Sequence, residues 1–290
     1  KTASKRGLKG ITGAELTLTG GGHVTLLAES RAGYANLCNL ISLAHGCDGT
    51  PQWRDERRRE PELDPAHFSQ HALSPQPTGG LILLTGCRRS PLSTAVVEGQ
   101  LGGAKALLEG YRSSFGRDGV FVELQHNLVY GDKARNRRLA ALAQEAGVGV
   151  VATNNVHYHV RDRHRLNDAL VAIKSNSTLE QTHRERRPNS QFYMKSPAEM
   201  AALFHWCPEA ISNTVRIAER CSFDLRADLG YTFPDHPVPE GHTALSWLVK
   251  ICRDAALRRY GSLDFRYDVK GAGKQTVAER MEEELGLIGR

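Results

Sequence analysis

The sequence predicts an α/β fold, and three observations carry that expectation. Short runs rich in Val, Ile and Leu alternate with longer stretches whose apolar residues recur at helical spacing. Gly, Pro and Asn punctuate the boundaries between them. The run Gly147–Ala152 stops abruptly in Thr153-Asn154-Asn155-Val156-His157-Tyr158-His159. In strand–helix–strand folds a parallel sheet is covered on both faces, and polar residues just past a strand's C-terminal end lie where such folds place their sites. Asn154, Asn155 and His157 are therefore expected at a mouth, although asparagines in a turn with a capping histidine would give the same string.

Taken in order, Gly10–Leu18 reads as a strand with Glu15 as its one acidic residue, and Gly20-Gly21-Gly22 turns into a second strand, His23–Ala28. From Gly33 the period becomes helical: Tyr34, Leu37, Cys38, Ile41 and Ala44 share a face, and Gly46 supplies the stop. Residues 48–79, with the nearly balanced charge run Arg54–Glu60, read as a solvated surface excursion containing at most a short helix near Pro65–Ala72. Gly80–Cys87 is another buried strand, which puts Cys87 at its C-terminal end. Pro91–Phe115 reads as helical segments broken by Gly99, Gly102 and Gly103.

Val120–Gln125 is the next strand, with Glu123 inside the apolar run and His126 just beyond; a buried carboxylate needs a partner. Asp132 is expected to cap a helix running to Ala146 with Leu139, Leu142, Ala143 and Ala146 inward. Lys133, Arg135, Arg137 and Arg138 crowd its first turns, where cations oppose the helix dipole and call for solvent or an anion. Asp162–Lys174 reads as a helix and Thr182–Gln191 as a basic connection. Ser196-Pro197-Ala198-Glu199 is a capping box, and Pro208-Glu209 opens a helix through Cys221. Ser222–Glu240, with Pro234, Pro237 and Pro239, reads as an extended linker before two amphipathic helices, Thr243–Tyr260 and Gln275–Leu285.

A chain of 290 residues that is 40% hydrophobic can bury a substantial core. No apolar run approaches the roughly 18–20 residues of a membrane span, and no signal core follows Lys1, so the expectation is a soluble, cytoplasmic protein. The six cysteines include no Cys-x-x-Cys pair, which excludes a zinc ribbon or thioredoxin motif and suggests reduced, mostly core thiols. A net charge of +6 is compatible with a nucleic-acid partner. The basic residues are scattered over Arg54–Arg59, Lys133–Arg138 and Arg184–Arg187 without aromatic interleaving, which points to weak, salt-sensitive binding. The opening Ser4-Lys5-Arg6-Gly7-Leu8 reads as the tail of a helix begun upstream.

Glu15, His23, Cys87 and His157 supply the carboxylate, imidazole and thiolate types that suit zinc or another divalent metal. His23 fits this pattern least, because it opens its strand instead of closing it. Each of the four also has an ordinary structural role available: a turn carboxylate, a strand-end histidine, a buried thiol and a capping histidine.

Five stretches, in order, resemble the polymerase-and-histidinol-phosphatase (PHP) domain that opens bacterial family C replicative polymerases, the DNA polymerase III alpha subunits. They are Gly-Leu-Lys-Gly-Ile-Thr-Gly-Ala-Glu-Leu, His-Val-Thr-Leu-Leu-Ala-Glu-Ser-Arg-Ala-Gly-Tyr-Ala-Asn-Leu, Gly-Leu-Ile-Leu-Leu-Thr-Gly-Cys, Val-Phe-Val-Glu-Leu-Gln-His and Val-Ala-Thr-Asn-Asn-Val-His-Tyr. Phe115–His126, Val129–Ala143 and Cys221–Tyr231 look most like the accessory, error-prone branch of that family.

The resemblance implies a distorted (β/α) PHP-type barrel over residues 1–190, a helical connector and proline-rich linker over 191–240, and the first helices of a polymerase palm over 241–290. Position by position, Glu15, His23, Cys87 and His157 fall on family metal ligands, with Asn155 standing where the metal-binding form has aspartate. The opening His-x-His and Asp-His motifs would lie upstream of Lys1, so the site is expected to be degenerate. For the parent, the resemblance implies error-prone, translesion DNA synthesis in repair and replication. DNA primer-template, deoxynucleotides and other replication or damage-tolerance proteins would be its partners, and Mg would be bound outside this chain. Nothing after Asp228 looks like the Asp-x-Asp palm motif, and Leu263–Asp268 is a poor substitute, so the chain alone is expected to be inactive. A free-standing metal-dependent phosphoesterase or exonuclease and a non-catalytic docking scaffold are the alternatives.

Overall fold

The structure, a computed structural model, describes residues 5–46, 61–69, 78–230, 236–269 and 273–289. The expected charge run Arg54–Glu60 and Pro234 lie outside the described residues. The chain divides into two compact units, Lys1–Leu229 and Gly230–Arg290.

The first unit is α/β. Five strands, β1 (Gly13–Thr17), β2 (His23–Ala28), β3 (Leu81–Leu84), β4 (Val120–Gln125) and β5 (Gly149–Thr153), lie side by side in chain order. The sequence suggested a parallel sheet, but only β3, β4 and β5 run parallel; β1–β2 and β2–β3 are antiparallel. The tight Gly20–Gly22 turn accounts for the first antiparallel pair, because so short a connection cannot cross over to a parallel neighbour. Among the described residues the sheet does not close into a barrel.

Alternation along each strand builds two cores. Leu81 and Leu83 of β3, with Val24, Leu26, Val122 and Leu124, face helices α1 (Arg31–Ala44), α2 (Pro91–Val97), α3 (Leu101–Phe115) and α4 (Asp132–Ala146). Ile82, Leu84, Phe121 and Val151 face the other way, onto Ile217 and Cys221 at the end of α7 (Pro208–Arg220). Both faces being covered explains why every residue of β3 and β4 is buried, Glu123 and Gln125 included. Between β5 and α7 lie a single turn of 3-10 helix (Arg161–Arg163), α5 (His164–Lys174) and α6 (Pro197–Leu203). The capping box at Ser196 and Glu199 forms as expected.

Three local expectations are corrected. The most buried residues of α1 are Gly33, Asn36, Leu37 and Leu40, so the face is turned slightly from the predicted stripe, whose Tyr34, Ile41 and Ala44 still pack part-buried against the core. Gly33 sits so close to Gly80 that an added Cβ would lie 1.8 Å from the Gly80 carbonyl oxygen, which draws that edge of the helix inward. Only Gly99 interrupts Pro91–Phe115; Gly102 and Gly103 are helical residues of α3. Asp132 does not cap α4, whose N-cap is Gly131; its carboxylate instead accepts from the backbone N–H groups of Asn127 and Val129 and pairs with Arg135. Of the described cysteines, all free, only Cys221 is fully buried.

The second unit holds α8 (Ala244–Tyr260), the hairpin β6 (Arg266–Val269) and β7 (Gly273–Thr276), and α9 (Val277–Ile288). Both helices open on capping boxes, at Thr243 and Thr276. No helix among the described residues is long and apolar enough to cross a membrane.

Candidate functional site

The antiparallel run of β2 resolves the awkward position of His23. Because β2 runs against β3, the start of β2 lies beside the end of β3, so His23 and Cys87 meet at one end of these two interior strands. Gly86 makes this approach possible: its φ is +88°, and an added Cβ would sit 2.2 Å from the His23 carbonyl oxygen. His23 and Cys87 share a hydrogen bond, and the Arg89 N–H donates to Cys87 Sγ at 3.3 Å. Glu15, on the neighbouring strand, places Oε2 3.4 Å from His23 Nε2.

This grouping shifts both titrations. The hydrogen bond to Cys87 raises the His23 pKa; burial opposes it, while the charges of Cys87, Glu15 and Glu123 add to it. Burial pushes the Cys87 thiol up, but the His23 hydrogen bond, the Arg89 N–H and the His23 charge outweigh it and leave the thiol below its ordinary value. Glu123, buried behind the pair, finds the partners its position demands. It accepts from Gly86 N–H at 3.0 Å, from Gln125 Nε2 at 2.7 Å and from the Thr153 hydroxyl.

The loop after β5 carries the other expected residues. Asn155 sits at φ 35°, in the left-handed region that asparagine tolerates better than most residues. His157 Nε2 donates to Asn155 Oδ1 at 3.1 Å, and its ring packs edge-on against Phe192. Asn154 is held by the Tyr193 carbonyl and by Lys195, and His157 N–H donates to the Phe192 carbonyl, so residues 189–195 pin the loop down. Partial burial of the ring, then the Arg187 charge, push His157 down to about 4. Among the described residues, His157 has no hydrogen bond or ion pair with Glu15, His23 or Cys87.

Arg187 is the residue the sequence did not single out. Its guanidinium stands 5.5 Å from the Phe192 ring and within electrostatic reach of Cys87, Glu15, Tyr158 and His157. Burial, then the like charge of Arg89, pull its pKa down. The only hint in the sequence was the basic run Arg184–Arg187, and nothing local shows that Cys87 and Arg89, about a hundred residues earlier, come to lie beside it.

Residues 1–127 match the model of the PHP domain. The N-terminal region of this chain is a PHP domain. The error-prone DNA polymerase of Symbiobacterium thermophilum is 36% identical, over 100% of this chain and 26% of its own length. That of Nocardia farcinica is 34% identical over 83% of this chain and 20% of its own length. The DNA polymerase III subunit alpha of Thermus aquaticus is 35% identical over 88% of this chain and 20% of its own length. The chain spans about a quarter of the length of the relatives it matches.

Within the matched residues the structure brings Glu15, His23 and Cys87 together, and beyond them it sets His157 with Asn155 on the loop after β5. Among the described residues no group of three or more His, Cys, Asp or Glu side chains is placed to hold a metal ion. The donor chemistry agrees, since Asn155 offers only a neutral amide and the Arg187 guanidinium brings positive charge where a divalent cation would need negative charge. These residues do not fit a multinuclear metal centre. His126 plays no part: it is buried edge-on against Phe204, and burial lowers its pKa.

Proposed function

We propose that this chain is the N-terminal region of an error-prone, damage-tolerant DNA polymerase, and that its PHP segment acts as a scaffold with a degenerate metal site. The observation that carries the reading is the likeness, along the whole chain, to the error-prone polymerase of Symbiobacterium thermophilum. The parent is a nucleotidyltransferase that extends primed DNA with deoxynucleotides across damaged template, in the cytoplasm and alongside other replication or repair proteins. Its Mg ions are bound outside this chain. Residues 1–190 are the PHP segment, 191–240 the connector and 241–290 the opening of the palm region.

Three features support the degenerate site: Asn155 in place of a carboxylate, Arg187 beside Cys87 and Glu15, and the absence of a three-donor group among the described residues. At most one zinc or similar divalent ion is held by Glu15, His23, Cys87 or His157, and hydrolysis that needs two clamping metals is not supplied. In the second unit, Asp264 lies in a turn and Asp268 on β6, both exposed, which is not the paired arrangement that nucleotidyl transfer requires.

Primer extension tests this reading. The full-length protein is expected to extend primers past a damaged template base, and the 290-residue chain to incorporate nothing. Failure of the full-length protein on any primer would refute the polymerase reading. Incorporation by the short chain that disappears in Asp264→Asn/Asp268→Asn would refute the placement of the catalytic centre.

A further inference from the structure

A surface helix of a globular protein turns its apolar stripe towards the core and its polar residues outwards. Helix α5 does the reverse. At about 100° per residue, Leu166, Leu170 and Ile173 fall on one line along the helix, and they are 50%, 54% and 73% exposed. The opposite side carries His164, Asp168, which pairs with Arg186 at 3.3 Å, and Ala172, the one buried residue of the helix. A stripe left in water forfeits the burial that would stabilise the helix, so this face is built to be covered.

The charges beside the stripe select what covers it. Arg165 lies to one side and Lys174 to the other, and neither makes an ion pair among the described residues. Arg165 also stands in the first turn, where a cation opposes the helix dipole and an anion relieves it. Against them, the turn before the helix offers the exposed Asp162. A second copy of the chain does not supply the anion: antiparallel helices would set Arg165 against Lys174, and parallel ones would set each cation against itself. Nucleic acid has no use for three aliphatic side chains. The stripe measures a few hundred Å², well short of the roughly 800 Å² per partner that a stable complex of separate proteins buries. A surface tethered in the same polypeptide needs far less, because its effective concentration is high. About three quarters of the Symbiobacterium thermophilum polymerase lies outside the region that this chain matches.

We infer that the face of α5 formed by Leu166, Leu170 and Ile173 is a docking surface for the rest of the full-length chain, which lays over it an apolar groove rimmed with carboxylates. The inference rests on the reading of this chain as the N-terminal region of a longer polymerase.

Hydroxyl-radical footprinting, read by mass spectrometry of the peptide that carries the three side chains, tests it by comparing the 290-residue chain with the full-length protein. Oxidation of Leu166, Leu170 and Ile173 should fall severalfold in the full-length protein. Arg165→Glu/Lys174→Glu should return it towards the level of the short chain, because it sets like charges against the rim. Leu166→Ser/Leu170→Ser/Ile173→Ser should leave the unfolding midpoint of the short chain unchanged, as surface substitutions do, and make the full-length protein easier to nick with protease. Equal oxidation in the two proteins would overturn the inference, as would a serine triple that unfolds the short chain. Protection that develops in the short chain alone as its concentration rises would make a second copy the occupant, and sedimentation with anionic phospholipid vesicles would make it a membrane; either result overturns the inference. Primer extension with the same full-length preparation keeps the two readings apart. An active polymerase with α5 unprotected refutes only the docking, and an inactive protein with α5 protected refutes only the polymerase reading.

Discussion

Replacing Asn155 with Asp returns a carboxylate to the loop after β5 and should be read first at His157. The amide oxygen of Asn155 lies 3.1 Å from His157 Nε2, and His157 now titrates at about 4 because of partial burial and the Arg187 charge. A negative charge at that distance stabilises the imidazolium by about 1.3 kcal/mol even at the dielectric of water. That corresponds to about one pKa unit, and exposure of the ring holds the effect near this lower bound. Asn155→Asp should therefore move the His157 midpoint from about 4 to about 5 or above, followed by NMR of the ring protons. The linkage has a definite sign. A histidine held below its ordinary 6.5 takes up protons in the unfolded chain first, so stability falls as pH drops from about 6.5 towards 4. The substitution should narrow that window from its acid side. An unchanged His157 midpoint in the Asp variant would refute the contact on which the argument rests.

Gly86→Ala should cost at least about 2 kcal/mol in denaturant unfolding, since it combines positive φ with a 2.2 Å clash against His23; a loss below about 0.5 would show that the close approach is not required. Asp132→Asn leaves the buried Arg135 guanidinium without its 2.9 Å carboxylate and should destabilise by about 3–5 kcal/mol; a near-neutral result would mean that solvent reaches Arg135. Alkylation of Cys87 should show a midpoint below the ordinary thiol range, moving upward in His23→Ala, as mass spectrometry of the labelled peptide would report; a profile unaffected by His23→Ala would separate the two side chains.

Most elements were legible because their periodicities are strong: β2, β4, α4 and the helices opened by Ser196 and Pro208 lie where the sequence places them. What was not legible depends on tertiary pairing. The glycine turn accounts for the antiparallel β1–β2 pair, but no local signal shows that β2 also runs against β3, and that pairing is what sets His23 against Cys87. The predicted stripe of α1 does pack on the core, but its most buried line is turned towards Gly33 and Asn36 because Gly33 meets Gly80, a backbone contact with no side-chain signal. Asp132 looked like a cap because it precedes a helix, but its carboxylate serves the loop before it and the arginine one turn later. Arg187 shows no local pattern either: its position comes from residues 189–195 folding back over the β5 loop.

On the proposed reading, the Arg187 guanidinium and the Asn155 amide occupy the setting in which a PHP-type metal cluster would sit. Elemental analysis of the purified chain, paired with a chelator-controlled assay for release of nucleotides from a DNA 3′ end, tests it most directly. No more than one divalent metal per chain and no chelator-sensitive release are expected. Two or more stoichiometric metals with hydrolysis that stops on chelation would contradict it.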